Sequence, residues 1–131
     1  MNATQLRIVG AGLLFLFVFF FGFWLSRSGK PYNLVIFTIH KLVALGTVVF
    51  LALTVYKVHQ VTPLSPTQIS VIVITAVCFL AAILTGGLLS MDKTMPLIVH
   101  RLHQVTPYLT LLATSIILYL LLAKSSGMLK A

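Results

Sequence analysis

The chain has 131 residues, of which 60% are hydrophobic and 8% charged, and Asp92 is its one acidic residue; that balance excludes a soluble domain with an ordinary charged surface. The formal net charge is +8, but the basic residues stand singly at the ends of apolar segments, where they reach lipid headgroups, and form no patch for a nucleic acid. The expectation is an integral membrane protein embedded in the lipid bilayer.

In chain order, the first apolar span covers about residues 6 to 26. It is longer than a signal-peptide core, no small-x-small cleavage pattern follows it, and it is read as a retained helix. Its aromatics, from Phe15 to Trp24, leave hardly any polar face, which suits a lipid-facing helix with Trp24 near an interface. Gly29-Lys30-Pro31 ends it. The second span, about 34 to 57, carries His40 and Lys41 well inside its apolar run, where an ionisable side chain is costly and marks a functional hypothesis. A short turn with Pro63 and Pro66 leads to the third span, about 67 to 89, where Cys78, Ala82 and Gly86 form a small-residue stripe that lets another helix approach. Cys78, the lone cysteine, reads as a packing residue. The fourth span, about 97 to 123, opens with His100, Arg101 and His103 and contains Pro107. Its rival has residues 96 to 106 lying flat on the interface, leaving a short span after Pro107.

The expected fold is therefore all-α: one transmembrane domain, residues 1 to 131, built as an integral membrane four-helix bundle. Two repeated helical hairpins are one reading of it. Ile39-His40-Lys41-Leu42 matches Val99-His100-Arg101-Leu102, and each match follows a helix ending near glycine and serine; chance agreement in a chain of few apolar letters is the other reading. A second echo, His59-Gln60-Val61-Thr62-Pro63 against His103-Gln104-Val105-Thr106-Pro107, fits no simple repeat. Four spans put both termini on one side. The charge balance, with Lys41 and Arg101 set aside as ligand-engaged, leans slightly towards cytoplasmic termini in a bacterial or archaeal inner (plasma) membrane.

Two intramembrane histidines on parallel helices point to a haem iron, which takes neutral imidazole nitrogens on its axial faces, while its apolar macrocycle suits a bundle interior. His40 and His100 are the expected metal ligands, with His103, three residues along the same face, as the alternative axial ligand or as a group bonding a propionate or quinone. Lys41 and Arg101 carry the charge that propionates need. His59 lies about 28 Å from His40 along its helix and reads as an interfacial residue. A zinc or copper site would need several convergent ligands, and a Cys-x-x-Cys-His attachment sequence is absent, so the haem expected is non-covalent haem b. A chlorophyll-type pigment, which needs one axial histidine, and a proton path stay open as other uses of these histidines.

On His40-Lys41 and His100-Arg101 the chain resembles, in general layout, the four-helix membrane-embedded b-type cytochromes, including the diheme ferric-reductase-like cytochromes and the haem-bearing anchor subunits of quinone-linked dehydrogenases. The resemblance implies electron transfer to or from a quinone or a partner redox protein. It also implies other membrane redox subunits, or further copies of this chain, as partners. The chain departs from the diheme type in lacking a second histidine pair. A cofactor-free or pigment-binding structural subunit of a larger membrane complex is the alternative; whether the chain is an enzyme stays open, with an electron-transfer protein or redox-complex subunit favoured over a stand-alone enzyme.

Overall fold

The structure, a computed structural model, describes residues 1–91 and 94–127. Asp92, Lys93 and Lys130, which entered the charge balance above, lie outside the described residues. Four α-helices carry the chain: α1 (Ala3–Ser28), α2 (Leu34–Val61), α3 (Pro66–Leu89) and α4 (Leu97–Ser125). All four are long and apolar enough to cross a membrane. The shortest, α3, has 24 residues and at about 1.5 Å per residue extends roughly 36 Å, beyond a hydrocarbon core of about 30 Å. The architecture is all-α and that of an integral membrane protein.

The helices outrun the apolar spans because polar residues at their ends satisfy the orphan amides. Asn2 and Gln5 form a reciprocal capping box at the start of α1, and Ser65 and Gln68 form another at the start of α3, with Pro66 in the first turn. The Asn33 side chain accepts from the Val35 and Ile36 amides at the start of α2. Gly29 stops α1 in a left-handed conformation, φ 72°, that a residue with a Cβ adopts only under strain. α4 runs through Pro107, so residues 97 to 106 belong to the same helix as the rest of the span.

Two compact units make up the chain. Among the described residues, one comprises Met1–Leu64 with residues 121–127, and the other comprises Ser65–Leu120. In the first, α1 packs on α2, Gln5 Nε2 donates to Ser126 Oγ at 3.1 Å, and Lys124 Nζ donates to the Pro63 carbonyl. In the second, Gln68 Nε2 donates to the Leu120 carbonyl at 3.5 Å.

The two helix pairs repeat each other at an offset of 63 residues. Ala3 and Pro66 begin α1 and α3, and Leu34 and Leu97 begin α2 and α4, at that spacing. The capping residues Asn2 and Gln5 answer to Ser65 and Gln68 at the same spacing. All four buried residues of α2, Thr47, Leu51, Thr54 and Val58, answer to buried residues of α4, namely Thr110, Thr114, Ile117 and Leu121. Ala11 and Phe15 of α1 answer to Thr75 and Phe79 of α3, all buried, one residue further on.

Polarity runs opposite to that of a soluble bundle. Seven buried threonines lie inside (Thr47, Thr54, Thr75, Thr85, Thr106, Thr110 and Thr114), while Leu13, Phe20, Trp24, Leu42, Leu84 and Leu112 face outward. Six of those hydroxyls donate to a carbonyl one turn back in their own helix, from Thr47 to Val43 at 2.7 Å through Thr110 to Thr106 at 2.9 Å. Thr114 Oγ1 is buried with no hydrogen-bond partner.

Candidate functional site

Each helix pair holds one histidine in a notch made by a glycine. In the first, a Cβ added to Gly22 of α1 would lie 2.8 Å from His40 Cε1 and 3.3 Å from its Nε2. In the second, a Cβ added to Gly86 of α3 would lie 2.9 Å from His103 Cε1 and 3.5 Å from each ring nitrogen. Real Cβ atoms do not come so close, so only glycine lets the imidazole edge pack against the backbone of the neighbouring helix. Both rings are half-buried and present the same edge to the glycine.

His103 has two further contacts, absent from the sequence reading: its Nδ1 lies 3.0 Å from Thr85 Oγ1, and its ring hydrogen-bonds to the Ala82 carbonyl. The Thr85 hydroxyl is in turn 2.7 Å from the Ala81 carbonyl and 3.2 Å from that of Ala82. Thr85 precedes the notch glycine, so one turn of α3 supplies both the space for the ring and the hydroxyl that meets it.

His100 is half-buried, one turn nearer the start of α4, and a 63-residue offset sets it against Phe37, not against a histidine. The tetrapeptide match had paired it with His40. Lys41 is exposed, and its ammonium sits 4.2 Å over the Phe37 ring, which directs the charge towards the start of α2. Arg101 is exposed at the corresponding end of α4. His59 is exposed, and its Nδ1 accepts from the Leu64 amide at 3.3 Å, a bond that serves the turn after α2.

Among the described residues no three His, Cys, Asp or Glu side chains gather into a group that could hold a metal ion. A metal bound by protein groups alone usually brings three or four such ligands. A haem iron, already held by four macrocycle nitrogens, asks the protein for one or two, and half-buried imidazoles with no Asp or Glu side chain beside them among the described residues fit that demand. A cleft of about 320 Å³ opens at the other end of the first unit, lined by Arg7, Thr54, Lys57 and Gln60 among others; it lies more than two helical turns from His40 along α2.

Comparison of the chain with protein families, with curated proteins and with solved structures finds no match.

Proposed function

We propose that the protein is a membrane b-type cytochrome that binds one non-covalent haem b through histidine, with His40, His100 and His103 as the candidate ligands, and passes electrons to or from a quinone or a partner redox protein. The observation that carries this reading is the recurrence of a notched imidazole in both helix pairs. Histidine is costly at membrane depth, and two in equivalent settings argue for a shared use of the ring nitrogen. When bound, haem supplies a one-electron couple whose potential follows its axial ligands and surroundings.

The chain's own residues bind, orient and seal. Gly22 and Gly86 let the rings lie against the helices that carry them, so the imidazoles are held before any iron arrives. Lys41, whose ammonium reaches back over the Phe37 ring, and the exposed Arg101 supply the positive charge that propionates need. The outward leucines and phenylalanines face lipid and keep water from the rings. The sidedness belongs to this proposal: the Gln5–Ser126 hydrogen bond supports both termini on one side, and we assign that side to the cytoplasm of a bacterial or archaeal cell. Further redox subunits, or further copies of the chain, complete the proposed assembly.

The test is a visible spectrum of protein purified from haem-replete cells. A Soret band with split low-spin bands on reduction, and haem extracted by acid-acetone, are the expected results, and His40→Ala should abolish them while His59→Ala leaves them intact. A colourless preparation refutes the reading and leaves a structural subunit; chlorophyll-type bands replace haem by a pigment. For sidedness, Ser28→Cys and Ser126→Cys in a Cys78→Ala background should label from opposite faces of the membrane. Labelling of both from one face would refute it.

A further inference from the structure

We propose that Thr85 fixes His103 as the Nδ1–H tautomer and so presents its Nε2 as an electron-pair donor, making His103, not His100, the ligating histidine of the second helix pair and the counterpart of His40. The ligand half rests on the haem reading above; the tautomer half does not.

Thr85 has one hydroxyl hydrogen. Two carbonyls of its own helix lie within reach of the oxygen, Ala81 at 2.7 Å and Ala82 at 3.2 Å, and a carbonyl can only accept. The hydrogen is therefore directed to the helix, and what Oγ1 offers the imidazole at 3.0 Å is a lone pair. The ring nitrogen that meets it must donate, so the hydrogen of a neutral imidazole sits on Nδ1 and the lone pair on Nε2. The opposite tautomer would require the hydroxyl to leave its 2.7 Å carbonyl and turn to the ring. In known metal sites the same division holds: one imidazole nitrogen binds the metal while the other donates to an oxygen that sets the ring's orientation.

The repeat supplies the second, independent argument. His103 stands 63 residues after His40, at the offset that relates the helix starts, the capping boxes and the buried residues of α2 and α4. It occupies the same glycine notch with the same ring edge inward. Thr47 and Thr110, both buried, follow the two histidines at seven residues. His100 shares none of these features.

The experiment uses full-length protein carrying ¹⁵N-histidine, in haem-free and haem-loaded forms. In the haem-free form one histidine should show a protonated Nδ1 and an unprotonated Nε2, a signal that disappears in His103→Gly; Thr85→Val should weaken the preference, the Ala82 carbonyl remaining beside the ring, and Thr85→Ser restore it in full. In the loaded form His103→Gly should lose the low-spin spectrum and regain it on addition of imidazole, which separates a lost ligand from a lost fold, while His100→Ala keeps it. Thr85→Val should retain haem at a shifted potential, returned by Thr85→Ser. A protonated Nε2 in the haem-free wild type overturns the role of Thr85. Loss of the low-spin spectrum in His100→Ala with retention in His103→Gly overturns the ligand assignment and leaves the haem reading standing. Wild-type protein that takes up no haem overturns both the haem reading and the ligand half.

Discussion

The two helix pairs share a scaffold and differ in how they are dressed. Both begin with a capping box, both bury a seam in the same register, and both seat an imidazole against a glycine. Where the second pair has Thr85 before its notch glycine, the first has Phe21 before Gly22; where the second buries Thr114, the first buries Leu51; and Lys41 beside His40 answers to Gln104 beside His103. Geometry is repeated throughout, and polarity only in part. The repeated part is what holds a histidine in place, and the unrepeated part is what adjusts its hydrogen bonding and its charge.

The comparison breaks most visibly at the glycines. Gly22→Ala and Gly86→Ala each place a methyl against an imidazole at under 3 Å, and each is expected to lower stability by roughly 1–3 kcal/mol through overpacking. Thermal unfolding in detergent, followed by circular dichroism, measures it. Losses of similar size in both variants support equivalence of the notches; a loss in one alone shows that the two histidines are not held alike.

The next effect distinguishes hydroxyls that serve a histidine from those that serve their own backbone. Thr85→Val removes one of the two α3 oxygens that meet the buried imidazole, leaving the Ala82 carbonyl, at an expected cost of about 1 kcal/mol. Thr75→Val removes a bond to the Val71 carbonyl of the same helix and should cost less, because that carbonyl also accepts a backbone amide of its own helix. Equal costs in the same unfolding assay would deprive the Thr85–His103 contact of its special standing.

The last effect has the opposite sign. Thr114 keeps a buried hydroxyl without a partner at the position where the first pair has Leu51. Thr114→Val, which preserves shape, is expected to raise stability by roughly 1 kcal/mol by removing that desolvated group. A fall in the unfolding midpoint would mean that the hydroxyl has work to do that the isolated chain does not display.

The four helices were legible in the sequence because a bilayer requires long apolar runs, and hydropathy reports those without any knowledge of packing. The register of the repeat was not. Ile39-His40-Lys41-Leu42 and Val99-His100-Arg101-Leu102 agree letter for letter in character at an offset of 60, whereas the helix starts and buried seams agree at 63. In a membrane chain the inward and outward faces are both apolar, so the seam through Thr47, Leu51, Thr54 and Val58 leaves no periodic trace in hydropathy. The signal that could have found it was present in the caps: Asn2 with Gln5 and Ser65 with Gln68 are start signatures that can be read without a structure. Gly86 was visible as part of a small-residue stripe, but that it admits an imidazole, and that Thr85 meets its nitrogen, depends on how α3 and α4 are juxtaposed and on no local pattern.

The back-bonded threonines bear on how the protein reaches the membrane. A hydroxyl whose acceptor is a carbonyl one turn earlier is satisfied as soon as its helix forms, and this holds for Thr47, Thr54, Thr75, Thr85, Thr106 and Thr110 alike. A newly made helix can thus leave the translocon for lipid with these polar groups already paired and need not wait for its neighbours to be synthesised. The interior polarity that distinguishes the assembled protein adds little to the energy barrier of its biogenesis.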